Sequence, residues 1–122
     1  MTLLLLVSVA GGLGAVARFV LDTWTARLLR RDYPFGIFFV NASGSLLLGL
    51  ITGLTLAHLV PEVWQTVLGV GLLGGYTTFS TASVDTVRLL HQHRWAAAAV
   101  NGPGLLALSV LLAAVGLWLG GG

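Results

Sequence analysis

Residues 63–90 are apolar and long enough to cross a bilayer, yet Gly74-Gly75-Tyr76-Thr77-Thr78-Phe79-Ser80-Thr81 stands in their middle. Two glycines weaken a helix there, and four hydroxyl side chains follow within a few residues. Hydrocarbon offers no water to unpaired backbone groups. Irregular backbone at that depth survives only where protein buries it or where it lines a cavity. A polar interruption of a spanning helix therefore points to a site for an ion or small substrate.

The rest of the chain agrees with a membrane setting. Of its 122 residues 57% are hydrophobic and 8% charged, against about 25% charged in soluble domains. Mean hydropathy is +0.96. The length admits one domain, 1–122, and four spans can be drawn near 2–21, 35–57, 63–90 and 95–119. The expected architecture is all-α: an integral membrane four-helix protein with a broken third transmembrane helix. Met1 to Ala10 lacks a basic leader, and Arg18 follows the apolar run, which reads as a retained first helix. Trp64, Trp95 and Trp118 fall at span ends, as interfacial aromatics do.

Charge is sparse and one-sided. Six arginines face four acids, with no lysine and no cysteine. A net charge of +2 gives no reason to expect nucleic-acid binding, and the absence of cysteine excludes disulfides and thiol chemistry. Arg27, Arg30, Arg31, Arg88 and Arg94 all belong to the connections on one face, and none to the other. The positive-inside rule places those connections in the cytoplasm and both termini outside. Small residues recur at helical spacing, with Gly49 and Gly53 as a GxxxG pair and Gly11 and Ala15 as a second pair. Such pairs serve intramolecular packing or a contact between copies. Four thin helices hardly enclose a pore alone, so oligomerisation is expected.

The deep polar groups are neutral. Asn41 is followed by Ser43 and Ser45 in the second span; Thr77, Thr78, Ser80, Thr81 and Ser83 lie in the third; Asn101 and Ser109 lie in the fourth. Asn41 either makes a structural bond between helices or lines a wet path. None of these groups ionises near neutral pH, which excludes a carboxylate proton relay in the deep region and suits neutral donors to an anion. Phe79 fits the same chemistry, because aromatic ring edges carry partial positive charge. As a lone phenylalanine it is more simply a packing residue. Arg18 lies near the end of the first span and either snorkels to the interface or concentrates anions in a vestibule. His58, His91 and His93 sit at span ends without metal-ligand spacing, and Ser80 has no nearby base, so an enzyme is not expected.

Three motifs, GGLGAVARF at 11–19, FGIFFVNASGSLLLG at 35–49 and GGYTTFSTAS at 74–83, together resemble the CrcB/Fluc fluoride channels of bacteria. The resemblance extends over nearly all four helices and is weakest in the fourth. It implies a multi-pass protein of the bacterial cytoplasmic membrane that assembles as an antiparallel, dual-topology dimer. Its activity would be passive export of fluoride, which lowers the ion's intracellular concentration and toxicity. It also implies a structural, untransported sodium ion held by the backbone carbonyls of Gly74 and Thr77. The implied ion pathway is lined by Asn41, Phe79, Ser80 and Ser109, with Arg18 toward a vestibule.

Two features depart from that pattern. The family's second phenylalanine falls three residues after the first, and Ala82 stands there. A subunit inserting in both directions carries little arginine bias, and here five arginines oppose none. Both suit one half of a heterodimer with a paralogous subunit of opposite topology, possessing one degenerate pore, as the alternative to a homodimer. A small four-helix drug exporter is the remaining alternative. It needs a mid-membrane carboxylate, and Asp85 is the one acid inside a span, near its cytoplasmic end.

Overall fold

A computed structural model describes residues 1–29 and 33–121; Arg30, Arg31 and Asp32, which contribute to the arginine count above, lie outside the described residues. Among the described residues, four helical spans are long and apolar enough to cross a membrane. Helix α1 covers Thr2–Leu28 and α2 covers Phe35–Leu56. The third span, Glu62–His91, is divided into α3 (62–76) and α4 (Phe79–His91), and α5 covers Trp95–Leu119. Among the described residues there is no strand.

Helix α1 continues past Leu21, where the sequence suggested a connection. Its 27 residues reach about 40 Å at 1.5 Å each, beyond the ~30 Å hydrocarbon thickness. Asp22 and Arg27 are thereby carried on the helix as it leaves the apolar layer. The Thr25 hydroxyl donates to the Leu21 carbonyl at 2.6 Å, so this residue adds no unpaired group.

Side chains too small to fill space hold the helices together. In lipid no hydrophobic force separates one apolar surface from another, so association follows close van der Waals approach. Helix α2 lies along α5, and α1 lies along α3. A Cβ on Gly49 would collide with the Ala113 carbonyl, and one on Gly116 with the Leu46 carbonyl. On the other seam, a Cβ on Gly14 would strike the Leu72 carbonyl and one on Gly75 the Gly11 carbonyl. The GxxxG pair at 49 and 53 is thus used within the chain. The interior combines backbone contacts and small residues with a few aliphatic side chains such as Ile37, Leu73, Leu89 and Leu105; among the described residues Val40 and Asn101 are the largest side chains that are fully enclosed.

Two stretches depart from α geometry. Gln65–Leu73 and Val100–Gly104 widen into π turns, the second around Pro103, which has no N–H to give. The break in the third span lies at Thr77 and Thr78, which are extended (φ −86°, ψ 158° and φ −151°, ψ 119°). The glycines before it are helical, with Gly74 at φ −62°, ψ −40°. Gly75 is therefore needed for its contact with α1, not for backbone freedom.

The seam yields a direct test. Gly49→Val should destabilise the fold by about 1–3 kcal/mol or more, the cost of overpacking. Gly11→Ala, which would meet only the Gly71 carbonyl at an ordinary 3.6 Å, should be near neutral. Thermal loss of the monodisperse peak on size-exclusion chromatography reads both.

Candidate functional site

The break at Thr77–Thr78 is held by one amide. Asn41, on α2, accepts from the Thr78 N–H through Oδ1 at 2.8 Å and donates from Nδ2 to the Thr78 carbonyl at 2.9 Å. The side chain thus behaves as a strand of one peptide, pairing both backbone groups of a residue that no longer belongs to a helix. Of the two readings open from sequence, the structural bond between helices is present. One Nδ2 hydrogen is left over for a further acceptor.

Helix α4 then begins with its own cap. The Thr81 N–H donates to the Thr78 hydroxyl oxygen at 3.3 Å, and that hydroxyl donates to Thr81 Oγ1 at 3.3 Å. Ser80 Oγ lies 3.3 Å from the same oxygen. These diversions free two carbonyls. In an uninterrupted helix Thr78 N–H would bond the Gly74 carbonyl and Thr81 N–H the Thr77 carbonyl. Here the first donor goes to Asn41 and the second to Thr78. Thr77 itself donates its N–H and its hydroxyl to the Leu73 carbonyl, both at 2.9 Å.

Around the break is a cavity of about 690 Å³, whose lining includes Asn41, Gly74, Thr77, Phe79, Asn101 and Ser109. Asn41 and Ser109 come from different helices, and the fold brings them to one open, mainly apolar face. Phe79 projects from that face and is 86% exposed on the single chain. Ser80 and Arg18 are not part of this lining. Arg18 is half-buried on α1, and among the described residues no ion pair joins it to Asp22.

Ala82, at the position of the expected second phenylalanine, is buried and packs in a cluster with Ile37, Ala42 and Leu105. Its carbonyl accepts from Asn101 Nδ2 at 3.2 Å, and the same amide donates to Thr86 Oγ1 at 2.9 Å. Asn101 Oδ1 is enclosed without a partner among the described residues. Because the Ala82 carbonyl only accepts, the amide cannot turn over to satisfy it.

A second cavity, about 590 Å³, opens at the arginine-bearing end, and its lining includes Asp22, Arg27, Tyr33, Thr81, Asp85 and Arg88. Asp85 is buried and pairs with Arg88 at 3.4 Å. Burial pushes the Tyr33 phenol above its ordinary pKa against the opposing Arg94 guanidinium, so it remains a neutral donor. The sequence reading missed this charged mouth and the place of Thr86. The signal for the mouth was the spacing of Thr81, Asp85 and Arg88, four and then three residues apart on one helix face.

The fold and site define a multi-pass helical membrane protein, with neutral hydrogen-bonding groups collected at a break inside the apolar layer. Residues 5–121 match the family described as "CrcB-like protein, Camphor Resistance (CrcB)", and the chain belongs to that family. It is 49% identical over 117 residues to "Fluoride-specific ion channel FluC 1" of Leifsonia xyli subsp. xyli, covering 96% of this chain and 85% of the relative. It is 47% identical to the FluC 1 of Symbiobacterium thermophilum and 45% identical to the FluC 2 of Cutibacterium acnes. Both alignments cover 96% of each chain.

Asn41 is the residue on which the break rests. Asn41→Ala should strand both backbone groups of Thr78, at about 1–3 kcal/mol for each unpaired group. Asn41→Asp should do nearly as badly, because a carboxylate cannot donate to the Thr78 carbonyl. Faster hydrogen–deuterium exchange over 77–81 checks this.

Proposed function

We propose that this chain forms a fluoride-specific channel, passing the ion down its gradient out of the cell through an antiparallel dimer. The observation that carries the reading is the lining of the cavity at the break. Asn41, Phe79 and Ser109 offer neutral donors and a ring edge, and no carboxylate enters that lining. Fluoride is small and strongly hydrated, so losing its water must be offset by close donors. A narrow set of hydroxyl and amide groups does this, while larger halides fail on size. Ser80 joins the path through its contact with Thr78, and Arg18 serves the aqueous approach. The open cavity at the break supports a second copy on this face, since freed carbonyls are poorly served by lipid.

Sodium fits the break. The freed Gly74 and Thr77 carbonyls are hard oxygen donors, two from each chain; a two-fold axis would double them. A bound cation there would neutralise the carbonyl dipoles and tie the copies together.

A second reading is a subunit of a heterodimeric channel, and Ala82 favours it. That position is packed against α2 and α5 and holds no ring. One of the two pores then lacks a phenylalanine edge, and a partner of opposite charge bias completes the assembly.

Liposomes containing this chain alone should lose fluoride rapidly and retain chloride, as followed with ion-selective electrodes. Ser109→Ala should slow efflux about tenfold, the equivalent of one hydrogen bond of ~1.4 kcal/mol in the barrier. No efflux from a folded preparation overturns the self-sufficient channel and selects the heterodimer. Replacing sodium by a large organic cation throughout purification should weaken the dimer on size-exclusion chromatography. Unchanged assembly and flux would remove sodium from the account.

A further inference from the structure

Among the described residues, the lining of the mouth at the arginine-bearing end matches each positive charge with a negative one. Arg27 and Arg88 bring two positive charges to its lining and Asp22 and Asp85 two negative ones, counted among the described residues. For an anion path, acids in the entrance are unexpected, because each repels the ion that must pass. Their positions are built. Asp22 is seated against α2, where a Cβ on Gly36 would collide with its carboxylate oxygen, so the absence of a side chain at 36 makes its place. Asp85 is 8% exposed, while its partner Arg88 has a side chain 65% exposed. The arginine reaches toward water while the carboxylate stays inside.

The mouth also leads to the break. Thr81 lines this cavity and is hydrogen-bonded to Thr78, whose backbone Asn41 holds. Along the same wall the Tyr33 hydroxyl is enclosed and has no partner among the described residues. An ion entering here would meet arginines, a free phenol donor and then a line of threonines.

We propose that Asp22 and Asp85 set the rate at which fluoride enters from this side, by cancelling the charge of Arg27 and Arg88 at the mouth. They act through the field and not as ligands. The inference rests on the fluoride-conducting reading. Removing either carboxylate makes the mouth more positive by one charge, which gathers anions; removing an arginine makes it more negative by one, which disperses them. Such an effect is screened by salt, because the Debye length falls from about 30 Å at 0.01 M to about 3 Å at 1 M.

The test is fluoride efflux from liposomes at limiting fluoride, with ionic strength varied by an impermeant salt. Asp85→Asn and Asp22→Asn should each raise flux about three- to tenfold at ~0.01 M ionic strength and approach wild type near ~1 M. Arg88→Gln, at a largely exposed site, should lower flux at low salt and recover at high salt. The double variant Asp85→Asn/Arg88→Gln, with the wild-type sum of charge restored, should move back toward wild type. A merely structural role would reduce flux equally at every ionic strength. Aspartate variants that conduct no faster than wild type at low salt overturn the proposal. If neither aspartate variant folds, Arg88→Gln decides alone: flux that is unchanged, or lowered without salt dependence, overturns it. A silent wild type refutes the self-sufficient channel instead, and is recognised before any variant is measured.

Discussion

Everything at the centre of this molecule depends on the pairing of Asn41 with both backbone groups of Thr78. A spanning helix that opens in hydrocarbon strands donors and acceptors at several kcal/mol each. One amide, placed on a neighbouring helix, meets both needs of Thr78, which is buried yet belongs to no helix. The Thr78 hydroxyl meets another by capping α4. The carbonyls of Gly74 and Thr77 are left over because their donors have been taken. The break is thus a way of presenting oxygen atoms at a chosen depth while the amide hydrogens of Thr77, Thr78 and Thr81 remain paired.

Helix α4 carries the consequences in two directions. Thr81, Asp85 and Arg88 face the charged mouth, while Phe79, Ala82, Ser83 and Thr86 belong to the lining of the open cavity. A helix turns through 100° per residue, so residues three and four apart share a face and neighbours do not. The same short helix therefore carries a charged face and a neutral one. Its start is positioned by Asn41, and its middle by Asn101, whose amide bonds the Ala82 carbonyl and Thr86.

The glycine seams determine where those faces point. Gly49 and Gly116 bring α2 and α5 to backbone contact, and Gly14 and Gly75 do so for α1 and α3. Close approach leaves little apolar surface enclosed within the chain, and large apolar residues such as Phe19, Phe79 and Trp118 remain outside. Lipid accepts that apolar surface. The exposed face at the break, with its cavity and freed carbonyls, is the part that lipid serves least well.

Much of the architecture was legible before any coordinate. Hydrocarbon thickness makes span length a physical quantity, so four apolar runs read as four helices, and the run of glycines and hydroxyls marked the interruption to within a few residues. The absence of deep ionisable groups could likewise be read directly, because composition is a property of the chain alone. Other features needed the fold. Gly74 and Gly75 seemed to weaken a helix, yet they are helical, and the extended residues are Thr77 and Thr78; only the contact between Gly75 and Gly11 explains a glycine there. Asn41 was open between two roles because its partner lies 37 residues away in the chain. Asp22 and Asp85 come from different helices, and no local pattern could place both beside Arg27 and Arg88 at one mouth. Periodicity and composition report what each segment must bury, and so they determined the number and character of the helices. Which polar groups meet is decided by helix–helix distance and rotation, and those follow from contacts between residues far apart in the chain.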